Sequence, residues 1–260
     1  MRSLALTLCV AAATPALAQS EELAETPIAV PSPVPVGFLV AWKPALLSVR
    51  VDTGAGSEFG TDKLQLLRAL GRWTTTLFDD KLMARAEIGG GQFQSDTPIA
   101  LGSQGVDLTA RLLGGTAARI SPGFVIIASA GMITRYQWGT GAQSGALRGG
   151  IFGVSSNVEL EYRIAPVLSV SGYLEWALAP FPYNMQSNLG NLSDASEFRA
   201  RIQFSLDVGP STAVDIGYDF TRWHSAFTNS NVIDPSGPAD KALLLEDREH
   251  AITFGIRWKP

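Results

Sequence analysis

From about residue 45 to the C-terminus, apolar residues occupy every second position of successive short segments, and this period of two restricts the chain to a β fold. The segment 197–208 shows the pattern most clearly, because its intervening positions carry only polar or charged residues. Its apolar positions are Phe198, Ala200, Ile202, Phe204, Leu206 and Val208. A period of two gives an extended strand one apolar face and one polar face.

The connections between these segments are of two kinds that alternate along the chain. Tight ones lie at 79–80, 121–123, 165–166 and 209–211, and long ones, rich in Gly, Ser, Asn and Asp, lie around 53–66, 89–105, 139–149, 179–196 and 222–249. Short periplasmic turns and long extracellular loops are typical of transmembrane β-barrels. We therefore predict an all-β, antiparallel up-and-down barrel of about ten strands (8–12). A secreted sandwich or a soluble barrel is the alternative.

The C-terminal segment supports the membrane barrel. Ile252, Phe254, Ile256 and Trp258 occupy alternate positions close to the chain end. An aromatic-ended terminal strand resembles the closing strand of bacterial outer-membrane β-barrels, including the small OmpA-like and porin-like barrels, although Pro260 follows where that family usually stops on Phe or Trp. The resemblance is one of pattern over nearly all of the mature chain. It implies location in the outer membrane, contact with its lipid, and recognition of residues 251–260 by the barrel-assembly machinery.

The N-terminal part is predicted to lie outside the barrel. Residues 1–18 have one cation, an apolar core and the pattern Ala16-Leu17-Ala18, which predicts a secretory signal peptide. Residues 19–44 are rich in proline, which cannot donate ladder bonds, and are predicted to form a periplasmic lead-in. Within it, residues 37–42 are either the start of the first strand or a plug that enters the barrel. Residues 45–260 are predicted to form the barrel.

Composition excludes several functions. The net charge of −4 argues against binding to nucleic acid. The single cysteine, Cys9, lies in the predicted signal peptide, so the mature chain has neither a disulfide nor a thiol nucleophile. No metal-ligand spacing or phosphate loop occurs, so we predict no metal and no cofactor. The lead-in and the loop 227–245 are the stretches available to a periplasmic or cell-surface protein partner.

The polar positions of the strands carry nearly balanced charges, which the barrel would turn inward. Buried charges must be paired, so a packed ion-pair interior is one interpretation, and a narrow water-filled pore is the other. The predicted interior residues are Arg50, Arg68, Arg72, Arg85, Glu87, Arg111, Arg135, Glu159, Glu161, Glu175, Arg199, Arg201, Asp215, Asp219 and Arg257. The aromatic residues predicted to lie at the membrane interfaces are Trp73, Tyr136, Trp138, Tyr162, Trp176, Tyr218, Trp223 and Trp258.

A rim enzyme is the alternative of a different class. Omptin proteases, outer-membrane phospholipases and lipid A deacylases act at the outer rim with His and a carboxylate or Ser. His224 and His250 lie near the extracellular ends of adjacent predicted strands and are weak catalytic candidates. The phospholipase and deacylase motifs place Ser two residues after His, where this chain has Ala226.

These observations predict a non-enzymatic outer-membrane barrel that acts as a structural or envelope-assembly component or as a narrow pore. A porin-like channel for small solutes is one alternative. A rim hydrolase acting on lipid or peptide is the other.

Overall fold

The computed structural model of the protein describes residues 36–52, 58–78, 81–93, 104–140, 148–183, 191–230 and 241–260. Within these ranges there are twelve β-strands: β1 (Gly37–Trp42), β2 (Ala45–Asp52), β3 (Glu58–Gln65), β4 (Arg68–Leu77), β5 (Leu82–Phe93), β6 (Gln104–Ser121), β7 (Phe124–Thr140), β8 (Arg148–Ala165), β9 (Leu168–Tyr183), β10 (Asn191–Gly209), β11 (Thr212–Ser230) and β12 (Lys241–Trp258). Among the described residues, no helix has the length and hydropathy needed to cross a bilayer.

A single antiparallel sheet closes on itself to form the barrel. From β4 to β12 each strand pairs with the strand that follows it in the sequence, which is the up-and-down order. The ring closes at β12, which pairs with β1 near the periplasmic end and with β2 near the extracellular end. Closure leaves no row of unpaired backbone groups facing lipid. The predicted all-β, up-and-down barrel is therefore confirmed.

Two of the barrel strands are each built from two shorter elements. β1 and β2 keep one continuous register with β12 on either side of Lys43 and Pro44. Pro44 has no N–H and interrupts the ladder, but its carbonyl accepts the N–H of Ile252 at 3.1 Å. β3 and β4 continue each other across a bulge at Leu66 and Leu67, where the partner register shifts by one residue. The barrel therefore has ten strands, the number predicted.

The register around the ring shows that the strands are tilted. The series of paired residues that starts at Trp258 of β12 and passes once around the barrel ends at Glu246 of the same strand, a displacement of twelve residues. A closed barrel with this stagger has strands inclined at about 40° to its axis. The interior is then narrow enough for long side chains to meet across it.

The outward face carries a belt of apolar side chains. Ile202, Phe204, Ile216, Ile252 and Phe254 are between 43 and 49% exposed. The outward face also carries the predicted interface aromatics Trp73, Tyr136, Trp138, Tyr162, Trp176, Tyr218 and Trp258. A continuous apolar belt on a closed barrel is stable only when it faces lipid. The protein is a β-barrel of the bacterial outer membrane.

Several strands continue well beyond the belt. Strands β6 to β12 are 16 to 19 residues long, whereas about 9–11 residues cross a bilayer. Parts of the predicted loops are therefore strand: most of 53–66 is β3, and much of 222–249 belongs to β11 and β12. Outside the bilayer the outward face becomes polar, so the alternation that marks a membrane strand is lost while the ladder continues. The centres of the long loops, including residues 234–237, lie outside the described residues.

The first strand pair differs from the prediction in extent and in facing. Residues 37–42 form strand β1 of the barrel wall, so the barrel begins at Gly37 and not at residue 45. In β2 the buried inward residues are Leu47 and Val49, and Arg50 lies on the outward face. The assignment of Arg50 to the interior was wrong because the inward positions of β2 are apolar, at Leu47 and Val49, whereas its polar residues Ser48 and Arg50 face outward.

The facing of the strands predicts how a new charge will affect stability. Ile216→Arg places a guanidinium on the outward face within the belt and should lower the free energy of unfolding by about 2–4 kcal/mol. Thr228→Arg on the same strand, beyond the belt, should cost about 0–1 kcal/mol. Urea unfolding of both variants in lipid vesicles measures the difference, and equal costs would contradict the assigned facing.

Candidate functional site

The interior contains a network of charged side chains that centres on Glu87 of β5. Its Oε2 accepts a hydrogen bond from Nε of Arg72 at 2.9 Å. Its Oε1 accepts one from Nη1 of Arg111 at 3.2 Å and another from Nη1 of Arg199. Nη1 of Arg201 lies 3.8 Å from Oε2. Arginines from β4, β6 and β10 therefore share one buried carboxylate.

Arg111 carries the network across the barrel. Its Nε donates to Oε2 of Glu175 on β9 at 3.1 Å, and its Nη2 donates to Oε1 of Glu197 on β10. Strand β6, which holds Arg111, is not a neighbour of β9 or β10 in the sheet. These ion pairs therefore cross the interior and do not run along the wall.

Further ion pairs extend the network towards the periplasmic end. Nη2 of Arg85 donates to Oε2 of Glu159 at 2.6 Å, and Nη2 of Arg201 donates to the other oxygen of Glu159 at 3.4 Å. Arg257 of β12 donates to Oδ1 of Asp215 at 2.9 Å. Ser205 accepts hydrogen bonds from Arg257 and Gln203, and Gln203 accepts one from Arg72, so hydrogen bonds connect this pair on the C-terminal strand to Glu87.

Tyr173 of β9 lies against the middle of the network. Its hydroxyl donates to Oε2 of Glu175 at 2.9 Å. The guanidinium carbon atoms of Arg201 and Arg199 lie 4.5 Å and 5.7 Å from the centre of its ring. The aromatic face therefore attracts two cations that the surrounding carboxylates also bind.

A second group of charges lies towards the extracellular end. Nζ of Lys43 is 2.6 Å from Oε1 of Glu249, and Nη2 of Arg68 donates to Oε2 of the same carboxylate at 2.8 Å. Nη2 of Arg135 donates to Oδ2 of Asp107 at 3.0 Å. These side chains come from the β1–β2 segment and from β4, β6, β7 and β12. The group therefore connects the place where the ring closes, between β12 and the β1–β2 segment, to the opposite wall.

Asp219 of β11 joins the two groups. Nε and Nη2 of Arg199 donate to its two carboxylate oxygens at 2.8 Å and 2.5 Å, which is a bidentate pair. Nζ of Lys43 lies 3.6 Å from Oδ2 of Asp219. Because Arg199 also bonds Glu87, one continuous set of ion pairs runs along the interior of the barrel.

A small polar cavity lies between these groups. Its volume is about 30 Å³, and its lining includes Lys43, Arg68, Arg135, Asp247 and Glu249. This volume is room for about two water molecules. Nε and Nη1 of Arg68 are buried and have no hydrogen-bond partner among the residues that the structure describes, so water is the natural occupant.

Two apolar clusters lie at the ends of the charged interior. Towards the periplasmic turns, Met83, Val125 and Ile127 are buried, with Val36 and Ala117 packed against them. Towards the extracellular end, a second cluster contains Ile133, Ile151, Ala177, Ala179, Ala195 and Trp223. Apolar side chains therefore pack beside the charged network near both of its ends.

Trp223 is a correction to the predicted interface aromatics. Its ring is buried inside the barrel, and the guanidinium of Arg135 lies 5.1 Å from the ring centre. The sequence contains the signal for this position. Trp223 has the same parity along β11 as Asp219 and Asp215, which are also inward.

The other predicted interior residues lie on the inward face. Apart from Arg50, they are all buried: Arg68, Arg72, Arg85, Glu87, Arg111, Arg135, Glu159, Glu161, Glu175, Arg199, Arg201, Asp215, Asp219 and Arg257. Sequence reasoning missed Lys43 because it lies in the proline-rich stretch. The alternation of Phe38, Val40 and Trp42 just before it is the signal that could have found it.

The structure separates the candidate catalytic residues. Nδ1 of His250 lies 2.6 Å from the hydroxyl of Tyr218, and Nε2 of His224 lies 3.9 Å from Asp194. Both histidines have the outward parity, whereas Asp247 and Glu249 point into the barrel. The strand wall therefore separates the two histidines from these two carboxylates, and the outward Glu246, the register partner of His224, is bonded to Arg222 and Arg248.

No protein-family model matches the sequence, and no curated protein matches it. Among solved structures, the chain is similar to the outer membrane protease OmpT from Escherichia coli, with 9% identity and a TM-score of 0.45 over 86% of this chain and 97% of that chain. It is similar to the toluene transporter TodX from Pseudomonas putida, with 8% identity and a TM-score of 0.33 over 88% of this chain and 91% of that chain. It is also similar to the KdgM porin, with 5% identity and a TM-score of 0.27 over 79% of this chain and 97% of that chain.

The network predicts a large effect for removal of its central carboxylate. Glu87→Gln leaves the arginines around it with one negative charge fewer in a buried site, and should lower the free energy of unfolding by about 3–5 kcal/mol. Urea unfolding in vesicles is the measurement. Asp207→Asn is the matched control, because its partner Lys259 is partly exposed and such a pair contributes less than about 1 kcal/mol.

A double variant tests the ion pair itself. Arg72 makes its carboxylate contact with Glu87, so the cost of Arg72→Gln combined with Glu87→Gln should be smaller than the two single costs added together. Strict additivity would show that the pair contributes nothing to stability.

Proposed function

We propose that the protein is a closed structural barrel of the outer membrane, a component of the cell envelope that conducts no solutes. The observation that supports this function most directly is the continuous network of ion pairs and hydrogen bonds from Arg257 and Asp215 through Glu87 to Lys43 and Glu249. It fills the interior where a pore would carry water. Arg85, Glu159, Arg199 and Asp219 are each at most 1% exposed.

The energy of opening supports the same proposal. A solute can pass only if the ion pairs that cross the interior separate. Leaving one member of a buried pair without its partner costs about 3–5 kcal/mol. Several such pairs cross the same region, and the cavity beside them has room for water alone. The closed state is therefore the stable one, and the barrel acts as a rigid membrane-embedded support for its extracellular strand extensions.

The positions of the histidines favour this proposal over a rim hydrolase. A general base must lie within hydrogen-bond reach of the proton it removes, and the group that orients it must lie within hydrogen-bond reach of the base. His250 is bonded to Tyr218 and lies beside Phe220 with ring centres 5.0 Å apart, which is an interfacial arrangement. His224 has an exposed aspartate, Asp194, as its neighbour, at 3.9 Å.

The proposal predicts that the refolded mature protein shows no steady conductance in a planar bilayer. The double variant Arg72→Ala with Glu87→Ala removes one positive and one negative charge together and leaves Arg111 and Arg199 with their other carboxylates. This variant should fold and carry more current than the unaltered barrel, because two long side chains in the middle of the interior are shortened to methyl groups. Current from the unaltered barrel would contradict the proposal and would support the porin-like alternative.

A shortened chain separates two ways of closing the barrel. The variant that lacks residues 19–35 keeps β1 and every ion pair described above. It should be as silent as the complete mature chain, since the network closes the interior. Conductance from the shortened chain alone would show that the proline-rich lead-in is the plug.

A further inference from the structure

Two arginines on the outward face lie where the apolar belt ends. Arg222 of β11 and Arg248 of β12 are direct register partners, and their side chains are 48% and 43% exposed. The outward residues two positions nearer the membrane centre, Phe220 and His250, are also register partners, and their rings lie 5.0 Å apart. Along both strands, the arginines are therefore the first permanently charged outward residues after the belt.

The height of the arginines matches that of lipid headgroups. Two residues span about 6.6 Å along a strand, which at a tilt of about 40° is roughly 5 Å along the barrel axis. The polar region of each leaflet is about 5–8 Å thick. The guanidinium groups therefore lie among headgroup phosphates and neither in hydrocarbon nor in bulk water.

Glu246 holds the two arginines together. Its Oε2 accepts from Nη2 of Arg222 at 2.5 Å, and its Oε1 accepts from Nε of Arg248 at 2.5 Å. Two cations directly opposite each other on a sheet repel, and one carboxylate neutralises only one of them. The three side chains keep a net charge of +1.

The arginines also have hydrogen bonds to offer. Each guanidinium has five N–H donors, and Glu246 takes one nitrogen atom from each. The remaining donors are on half-exposed side chains that point outward. A phosphate oxygen pair is the ligand that matches two such forks in charge and in geometry.

The neighbouring outward positions carry charges of both signs, none of them the register partner of Arg222 or Arg248. His224 is the next outward residue after Arg222 on β11, and its Nε2 lies 3.9 Å from Oδ2 of Asp194. Arg50 of β2 is the register partner of Glu246, and Asp52 follows at the next outward position of β2, so this strand brings one charge of each sign to the face. Asp62 of β3 is separated from Arg248 by Ser48 of β2. The surplus positive charge of Arg222, Arg248 and Glu246 is therefore on the outward face of the barrel.

We propose that Arg222 and Arg248, positioned by Glu246, bind the phosphate group of a lipid in the outer leaflet. The site lies on the outside of the wall and is independent of whether the interior conducts. It gives the barrel a fixed lipid neighbour on the side formed by β11 and β12.

Native mass spectrometry of the refolded protein tests the proposal, with lipid A as the phosphate-bearing lipid and phosphatidylcholine as the background. The protein should retain about one lipid A per barrel. The variant Arg222→Gln with Arg248→Gln should retain it about tenfold less, because the charge-assisted bonds are lost. The control Lys81→Gln with Lys259→Gln removes the same charge at the periplasmic end and should retain lipid A as the unaltered protein does.

Three results would overturn the proposal. They are equal retention by the arginine variant, equal loss in the lysine control, and displacement of lipid A by millimolar inorganic phosphate, which would indicate a site for a soluble anion. If the arginine variant folds poorly, the triple variant that adds Glu246→Gln removes the unpaired carboxylate. It should fold and still fail to retain lipid A.

Discussion

A backbone amide that faces hydrocarbon has no water to bond, and the fold of this protein depends on that constraint. The constraint is met only when every strand has a partner on each side, so the sheet must close. Closure at β12 then assigns each side chain to lipid or to the interior. The apolar belt follows from the first assignment, and the charged network follows from the second.

Moving charged side chains from water into the interior of the barrel costs free energy of desolvation, so their arrangement is informative. Burial of an ion pair contributes little net stability, and apolar residues of the same volume often serve as well. What the pairs add here is connection between strands that are not neighbours, as Arg111 of β6 does with Glu197 of β10. Such contacts fix the cross-section of the barrel, because one residue of slip along a strand would turn its carboxylates into lipid.

The sequence predicted the fold well because strand facing in a membrane is a local property. The alternation in 197–208 is visible without knowledge of any partner, and β10 has the predicted facing throughout that segment. The prediction failed where the surrounding solvent changes, as at Arg50, and where an aromatic residue turns inward, as at Trp223. The pairing of the interior charges was not predictable, since Glu87 and Arg199 are 112 residues apart and meet only across a closed barrel.

The contacts between the first barrel strand and the last two strands form only when the barrel closes in the correct register. Lys43 comes from the first barrel strand, and its carboxylate partners Asp219 and Glu249 come from the last two. Phe38 and Trp258 stack between the first and last strands, with ring centres 6.2 Å apart. A barrel closed in the wrong register would leave the buried Lys43 without a counter-ion and would separate the stacked rings of Phe38 and Trp258. The same register that pairs the first barrel strand with the last one therefore also neutralises Lys43. Closure of the wall and neutralisation of the interior occur together.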